Sequence, residues 1–126
     1  MKKLICCLSL FLLAQAAQAI CTRADFTGTW RMYTALPYVA RCTLIIPATG
    51  TAISASSTCV IPGIPAMPVK GTLTMGTDCH VTGSIAVSTN TKSVDGWLGK
   101  GKDSFAGIGW TPGNASNGAT ISGVKQ

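Results

Sequence analysis

The sequence contains no glutamate and a single histidine, and these two scarcities limit the chemistry that the protein can perform. Its side-chain carboxylates come from four aspartates, and its one imidazole is that of His80. General acid and base catalysis relies mostly on His, Glu and Asp side chains. We therefore expect a protein that is not an enzyme and that uses no cofactor and no metal ion.

Long apolar runs are absent after the N-terminus, and this argues against a transmembrane segment. The longest run covers residues 4–17, which is about 14 residues, whereas a membrane-spanning helix needs roughly 20. Lys2 and Lys3 precede this run, and Ala17-Gln18-Ala19 follows it with the small-x-small form that signal peptidase reads. The pattern is typical of a secretory signal peptide.

We accordingly predict a signal peptide over residues 1–19 and a single β domain over residues 20–126, with a secreted or periplasmic localisation. The 107 residues that remain after cleavage near Ala19 are the size of one domain. Eight Lys and Arg side chains against four Asp leave this part with a charge of +4. The basic residues are scattered and form no stripe, so we expect no specific binding to nucleic acid.

Four cysteines follow the predicted signal peptide, and none is close to another in sequence. An exported protein meets an oxidising compartment, where an even number of such cysteines indicates disulfides. Zinc ligands usually come in close pairs, so a zinc site is the less favoured alternative. The cysteines are Cys21, Cys42, Cys59 and Cys79.

Apolar and polar residues alternate through most of this region, which is the period of a half-buried strand. In the first segment, Phe26, Gly28, Trp30 and Met32 share one face. Further strands are predicted at residues 39–46, 52–61, 69–75, 79–87, 94–100, 104–110 and 119–125. The fold class that follows is all-β, a small up-and-down antiparallel barrel or sandwich of seven to eight strands with two disulfides.

The predicted turn at Gly50-Thr51 sets the register of the second and third strands. Residues whose numbers sum to 101 then face each other, and Cys42 and Cys59 form such a pair. Opposed residues of an antiparallel pair lie about 4.5 to 5.5 Å apart, which a disulfide accepts. Cys21 and Cys79 are left together at the opposite end of an up-and-down fold.

One set of polar residues has the composition of a catalytic triad but not its spacing. Asp78, His80 and Ser84 share a face of the predicted fifth strand and the turn that precedes it. Neighbours two residues apart on a strand are about 6.6 Å from each other, whereas triad contacts are near 3 Å. We interpret these side chains as a solvated polar face.

A proline-rich segment over residues 61–68 is the first candidate contact surface. Its three prolines predict an extended, polyproline-like path. Ile61, Ile64 and Met67 are apolar side chains on this constrained segment, so binding there would cost little conformational entropy. We consider them candidate contacts with a partner protein. The alternative is that they cap the end of the barrel.

Tryptophans and lysines form the second set of candidates. Trp97 and Trp110, with Lys100 and Lys102 of a predicted hairpin, could make an aromatic and basic surface for a sugar or a nucleic acid. Trp30, together with Trp97, could instead contact a small ligand inside a barrel. Packing in the core is the alternative for the tryptophans.

A short stretch of the sequence resembles the calycin barrels. Gly28-Thr29-Trp30 is similar to their Gly-x-Trp motif, and Cys42-Thr43-Leu44-Ile45-Ile46 with Cys59 is similar to a motif of the bacterial periplasmic metalloprotease inhibitors. The resemblance covers about residues 26–61 and implies a calycin-like barrel with an inhibitor-like function. That family inserts a free N-terminal arm into the protease, whereas Cys21 would tie this arm down.

These patterns favour a secreted or periplasmic, non-enzymatic binding module whose partner is a secreted or envelope protein. One alternative is a calycin-type carrier of a small ligand. Another is a structural subunit of the envelope or surface that associates through sheet edges.

The predicted disulfides can be tested by mass mapping of non-reduced peptides. We expect linked peptides containing Cys42 with Cys59 and Cys21 with Cys79, and a Cys21–Cys42 linkage would contradict the up-and-down order. Because each bond closes a loop of the unfolded chain, reduction should cost roughly 3 kcal/mol for the loop of about 18 residues and roughly 4 kcal/mol for the longer one. Thermal unfolding with and without reductant measures this loss.

Overall fold

A computed structural model describes residues 20–35 and 39–126, and over these residues the chain folds as a closed antiparallel barrel. The predicted signal peptide lies outside the described residues. Within them, no helix is long and apolar enough to cross a membrane. The described elements are α1 (Arg23–Phe26), β1 (Gly28–Ala35), β2 (Ala40–Ile46), β3 (Thr58–Val60), β4 (Met67–Met75), β5 (His80–Val87), β6 (Asn90–Leu98), β7 (Ser104–Thr111) and β8 (Asn114–Lys125).

The strands pair in chain order, and β8 closes the barrel by pairing with β1. This confirms the predicted all-β, up-and-down architecture. Connections alternate between two ends. We call the end that carries α1 the helix pole, and the end that carries the β3–β4 and β7–β8 connections the turn pole.

Both predicted disulfides are present. Cys42 lies directly opposite Cys59 in the β2–β3 pair, and the two are bonded near the turn pole. Cys21 is bonded to Cys79 at the helix pole. The predicted register of β2 and β3 is therefore confirmed.

The third predicted strand, over residues 52–61, is wrong in length because only Thr58–Val60 belongs to β3. The residues before it run beside β4 instead, where the Ile53 amide donates to the Gly71 carbonyl at 3.0 Å. Ser57 is fully buried, and its hydroxyl accepts a hydrogen bond from the Ile45 amide at 2.9 Å. This side-chain bond replaces a rung of the strand ladder and ends the pairing.

The first predicted strand also begins later than expected, because Phe26 belongs to α1. A capping box between Thr22 and Asp25 starts this short helix. The Asp25 carboxylate accepts from the Thr22 amide at 2.7 Å and from Lys102 Nζ at 2.9 Å. The Lys125 ammonium donates to the Asp25 carbonyl at 3.0 Å, so β8 and the β6–β7 connection both hold α1.

The hydrogen bond from the Thr22 backbone, followed by the one from Lys102, lowers the pKa of Asp25 to about 2. The unfolded carboxyl titrates near 3.8. Because the folded pKa is the lower one, the stabilisation from Asp25 is complete above about pH 4 and is lost as the pH falls towards 2.

Side chains from all eight strands fill the interior of the barrel. Trp30 is fully buried, and its indole Nε1 donates to the Phe26 carbonyl at 2.8 Å. An eight-stranded barrel is just wide enough for side chains to fill it. The surrounding core includes Met32, Leu44, Cys59, Val69, Leu73, Val81, Val94, Phe105 and Ile121.

Glycines make room for the Phe105 ring on the inner face of β7. Gly96 and Gly107 are paired across β6 and β7, and the Phe105 ring lies over both. A Cβ added at Gly96 would lie 2.5 Å from Phe105 Cζ and 2.5 Å from the Ala106 carbonyl oxygen. Phe105 can therefore point into the barrel only because its neighbours lack side chains.

We expect Gly96→Ala to destabilise the protein by about 1 to 3 kcal/mol, because the added methyl group overpacks the core. Gly118→Ala is the matched control, since its nearest neighbour to an added Cβ is the Ala115 carbonyl oxygen at 3.6 Å. Denaturant unfolding of both variants measures the difference. Equal stabilities would contradict the packing of Phe105 over the glycine pair.

Candidate functional site

The proline-rich segment at the turn pole begins with a tight turn. The Ile64 amide donates to the Ile61 carbonyl at 2.9 Å, and Gly63 has φ 79°. Proline at the second position and glycine with positive φ at the third are the requirements of a type II turn. The predicted polyproline-like path is therefore wrong for residues 61–64, because Gly63 reverses the chain.

The three predicted partner contacts occupy different positions around this turn. Ile64, the fourth residue of the turn, has 47% of its surface exposed, whereas Ile61, the first residue, and Met67, which follows the turn, are half-buried. Met67 belongs to β4 and pairs with the disulfide-bonded Cys59. Among the three, Ile64 is the only exposed residue.

Further exposed apolar residues lie at the turn pole. Val39, which leads into β2, is exposed there. Pro62 and Pro65 are also exposed. We call this group the turn surface; its members are Val39, Pro62, Ile64 and Pro65.

A second exposed apolar surface lies on the outer wall of the barrel. Trp97 pairs with Ala106, Ala106 with Ser122, and Ser122 with Tyr33, so these residues form a row across β6, β7, β8 and β1. Ala106 and Ser122, in the middle of the row, are small and exposed. Trp97 and Tyr33, at its ends, are 52% and 45% exposed.

Two more large apolar side chains border the same row. Ile108 lies two residues from Ala106 on β7, and Val124 lies two residues from Ser122 on β8, with exposures of 53% and 46%. Monomeric proteins rarely expose contiguous apolar patches of this kind without an interaction to serve. We call these six residues the Trp97 patch.

His80 supports Trp97 from the neighbouring strand. The two rings stack with centroids 4.3 Å apart and an angle of 12° between their planes. His80 Nε2 lies 2.9 Å from Asp95 Oδ1, so the imidazole is held between a carboxylate and the indole. These contacts fix the Trp97 ring on the outer wall.

The imidazole of His80 is paired with Asp95 rather than with Asp78 of the rejected triad. Asp78 accepts a hydrogen bond from the His80 backbone amide at 3.2 Å. In the part of the chain that the structure describes, no three His, Cys, Asp or Glu side chains are grouped to hold a metal ion.

The predicted aromatic and basic surface is only partly assembled. Trp97 and Trp110 face outward from adjacent strands, where Trp110 is half-buried and borders a surface depression of about 460 Å³ next to Ile108. Lys102 instead binds Asp25 and the Ile20 carbonyl at the helix pole. Lys100 is exposed in the β6–β7 connection.

Trp30 does not line an open ligand site. Its ring is fully buried among core side chains and packs against Phe26 at a centroid distance of 5.8 Å. The Trp30 indole therefore packs in the core, whereas Trp97 lies on the outer wall.

Sequence reasoning did not identify Tyr33, Ile108 and Val124 as site residues. The alternation of β1 already placed Tyr33 on the face opposite Trp30, which is the outer face. The signal in the sequence was an apolar residue at an outward-facing position. That signal does not show that β6, β7, β8 and β1 bring these residues together.

The chain matches no protein-family model, no curated protein and no solved structure.

The opposite environments of two tryptophans give a direct test of this arrangement. Trp30→Ala should lower the free energy of unfolding by about 3 to 5 kcal/mol, because it empties the centre of the core. Trp97→Ala should cost about 1 kcal/mol, since it removes a half-exposed ring and its stacking on His80. Chemical denaturation measures both. Similar losses for the two variants would contradict the inward and outward placement.

Proposed function

We propose that the protein is exported, with its signal peptide cleaved after Ala19, and acts as a non-enzymatic module that binds a partner protein through the turn surface. The observation that carries the proposal is the exposed Ile64, whose amide closes a conformationally fixed turn. The two disulfides support export, because such bonds persist in oxidising compartments.

Several contacts preorganise the turn surface. Proline fixes the backbone φ angle at Pro62 and Pro65, and the hydrogen bond between Ile61 and Ile64 closes the turn. The Cys42–Cys59 disulfide anchors the strand that leads into it. A segment that is already ordered loses little entropy on binding, so more of the contact energy contributes to affinity.

The chemistry of the turn surface indicates the kind of site that a partner would offer. Residues 61–67 carry no charged side chain. An apolar pocket that receives the Ile64 side chain would complement this surface, with the prolines at its rim. We propose that the partner is a secreted or envelope protein, because it must meet this protein after export.

The resemblance to the periplasmic metalloprotease inhibitors makes an extracellular protease one such partner. The mode of contact would differ from that of the family. Cys21 is bonded to Cys79, and its amide donates to the Thr77 carbonyl at 2.9 Å, so the N-terminal arm is held against the barrel. The turn surface is the proposed contact instead.

Features of the barrel favour this proposal over the two alternatives. A carrier of small ligands needs interior space, whereas Trp30 is buried inside this barrel together with core residues from all eight strands. A subunit that associates through sheet edges needs an unpaired strand. The closed order of the described strands gives each of them a partner on both sides.

The two exposed isoleucines allow a matched experiment. The exported wild-type protein and its Ile64→Ser and Ile108→Ser variants are immobilised, and proteins retained from culture medium or periplasm are identified by mass spectrometry. We expect a specific partner to be retained by the wild type and by Ile108→Ser but lost with Ile64→Ser, because only the latter removes the anchor.

Melting temperatures are measured alongside. Ile64→Ser should leave the melting temperature nearly unchanged, since an exposed side chain contributes little to folding. A clear fall would show that Ile64 caps the barrel and would contradict the proposal. So would retention of the same partner by Ile64→Ser.

A further inference from the structure

We propose that the Trp97 patch is a self-association face that docks against the same patch of a second copy of this chain. This inference does not depend on the proposed function, because it concerns the outer wall of the barrel rather than the turn surface. A dimer formed through this wall would leave the turn surface of each copy free.

The sizes of the side chains on the outer wall make this part of the barrel surface less convex, which lets a second copy contact it over a larger area. The outside of a barrel is convex, so two barrels with uniform side chains would touch along a narrow line. Here the crest carries small residues, Ala106 and Ser122, while the flanks carry the large rings of Trp97 and Tyr33. Large side chains on the flanks and small ones on the crest flatten the surface.

The patch is also complementary to itself. A two-fold axis that runs along the strands between β7 and β8 brings β7 of one copy against β8 of the other. Ile108 then faces Thr120, because these two residues are directly paired within each copy. Val124 faces Ser104 for the same reason. Each large aliphatic side chain meets a smaller one, as close packing between two surfaces requires.

The same axis places the β6 flank of one copy over the β1 flank of the other. Trp97 then meets Tyr33, and the dimer contains this aromatic contact twice. Tryptophan and tyrosine are enriched at interfaces because they bury a large area at low entropic cost.

The charges at the two flanks are complementary in this arrangement. Asp95 lies on the β6 side of the patch, while Arg31 and Arg41 are exposed on the β1 and β2 side. The ion pairs of the described residues join His80 to Asp95 and Lys102 to Asp25, so neither arginine has an acidic partner within the described chain. The two-fold arrangement brings Arg41, which is paired with Tyr33, beside Trp97 of the other copy and within two residues of Asp95 along β6. Arg31 is paired with Val124, so it faces the chain just past Leu98 and not Asp95. The six residues of the patch are uncharged.

The expected affinity is modest. The patch spans four strands, which is roughly 14 Å between β6 and β1 at the usual strand spacing. This size is at the low end of specific protein interfaces, so association should depend on concentration and exchange quickly.

Sedimentation equilibrium of the exported, disulfide-bonded protein over a concentration series tests the proposal. We expect the weight-average mass to rise from monomer to dimer with concentration. Ala106→Arg, which places a charge at the centre of the patch, should weaken association by more than about tenfold. Thr91→Arg is the matched control, because Thr91 is also exposed on the outer wall but lies away from the patch. It should associate like the wild type.

Amide chemical shifts recorded on dilution identify the face that associates. Changes confined to β6, β7, β8 and β1 support the proposal, whereas changes centred on the turn surface overturn it. A wild-type protein that remains monomeric up to about 1 mM also overturns it, as does unchanged association of Ala106→Arg. Melting curves of both arginine variants verify that they are folded.

Discussion

Closure of the eight-stranded barrel around a filled interior is the constraint on which the rest of this structure depends. Every strand must send one set of side chains inward, and residues such as Trp30 and Phe105 are buried between the walls. This packing requires glycine at positions 96 and 107, because the Phe105 ring occupies the volume that a side chain at Gly96 or Gly107 would need. The alternate side chains of each strand point outward and form the outer wall.

The two poles are closed by different means, and this difference supports the division of function that we propose. At the helix pole, α1 is held by the Cys21–Cys79 bond and by the contacts of Asp25 with Lys102. At the turn pole, a disulfide and a proline turn hold Ile64 in solvent. In our proposal, the helix pole provides stability, while the turn pole and the outer wall offer contact surfaces.

Local patterns in the sequence were sufficient to predict the architecture, since strand alternation and turn residues act over a few neighbouring positions. The same patterns yielded the register of Cys42 with Cys59 and the pairing of Cys21 with Cys79. The length of β3 could not be predicted. It depends on the buried hydroxyl of Ser57 and its bond to the Ile45 amide, which exists only when the barrel is folded.

The sequence by itself determined the strand periodicity, the cysteine pairing and the presence of a constrained proline segment, because each depends on spacing along the chain. Only the tertiary structure decided which apolar residues are exposed and which of these lie next to one another. Tyr33 and Trp97 are far apart in sequence, and they join one row only because β8 closes on β1. Trp30 and Trp97 have the same side chain, yet one is buried and the other is exposed, because barrel closure assigns them to opposite sides of the wall.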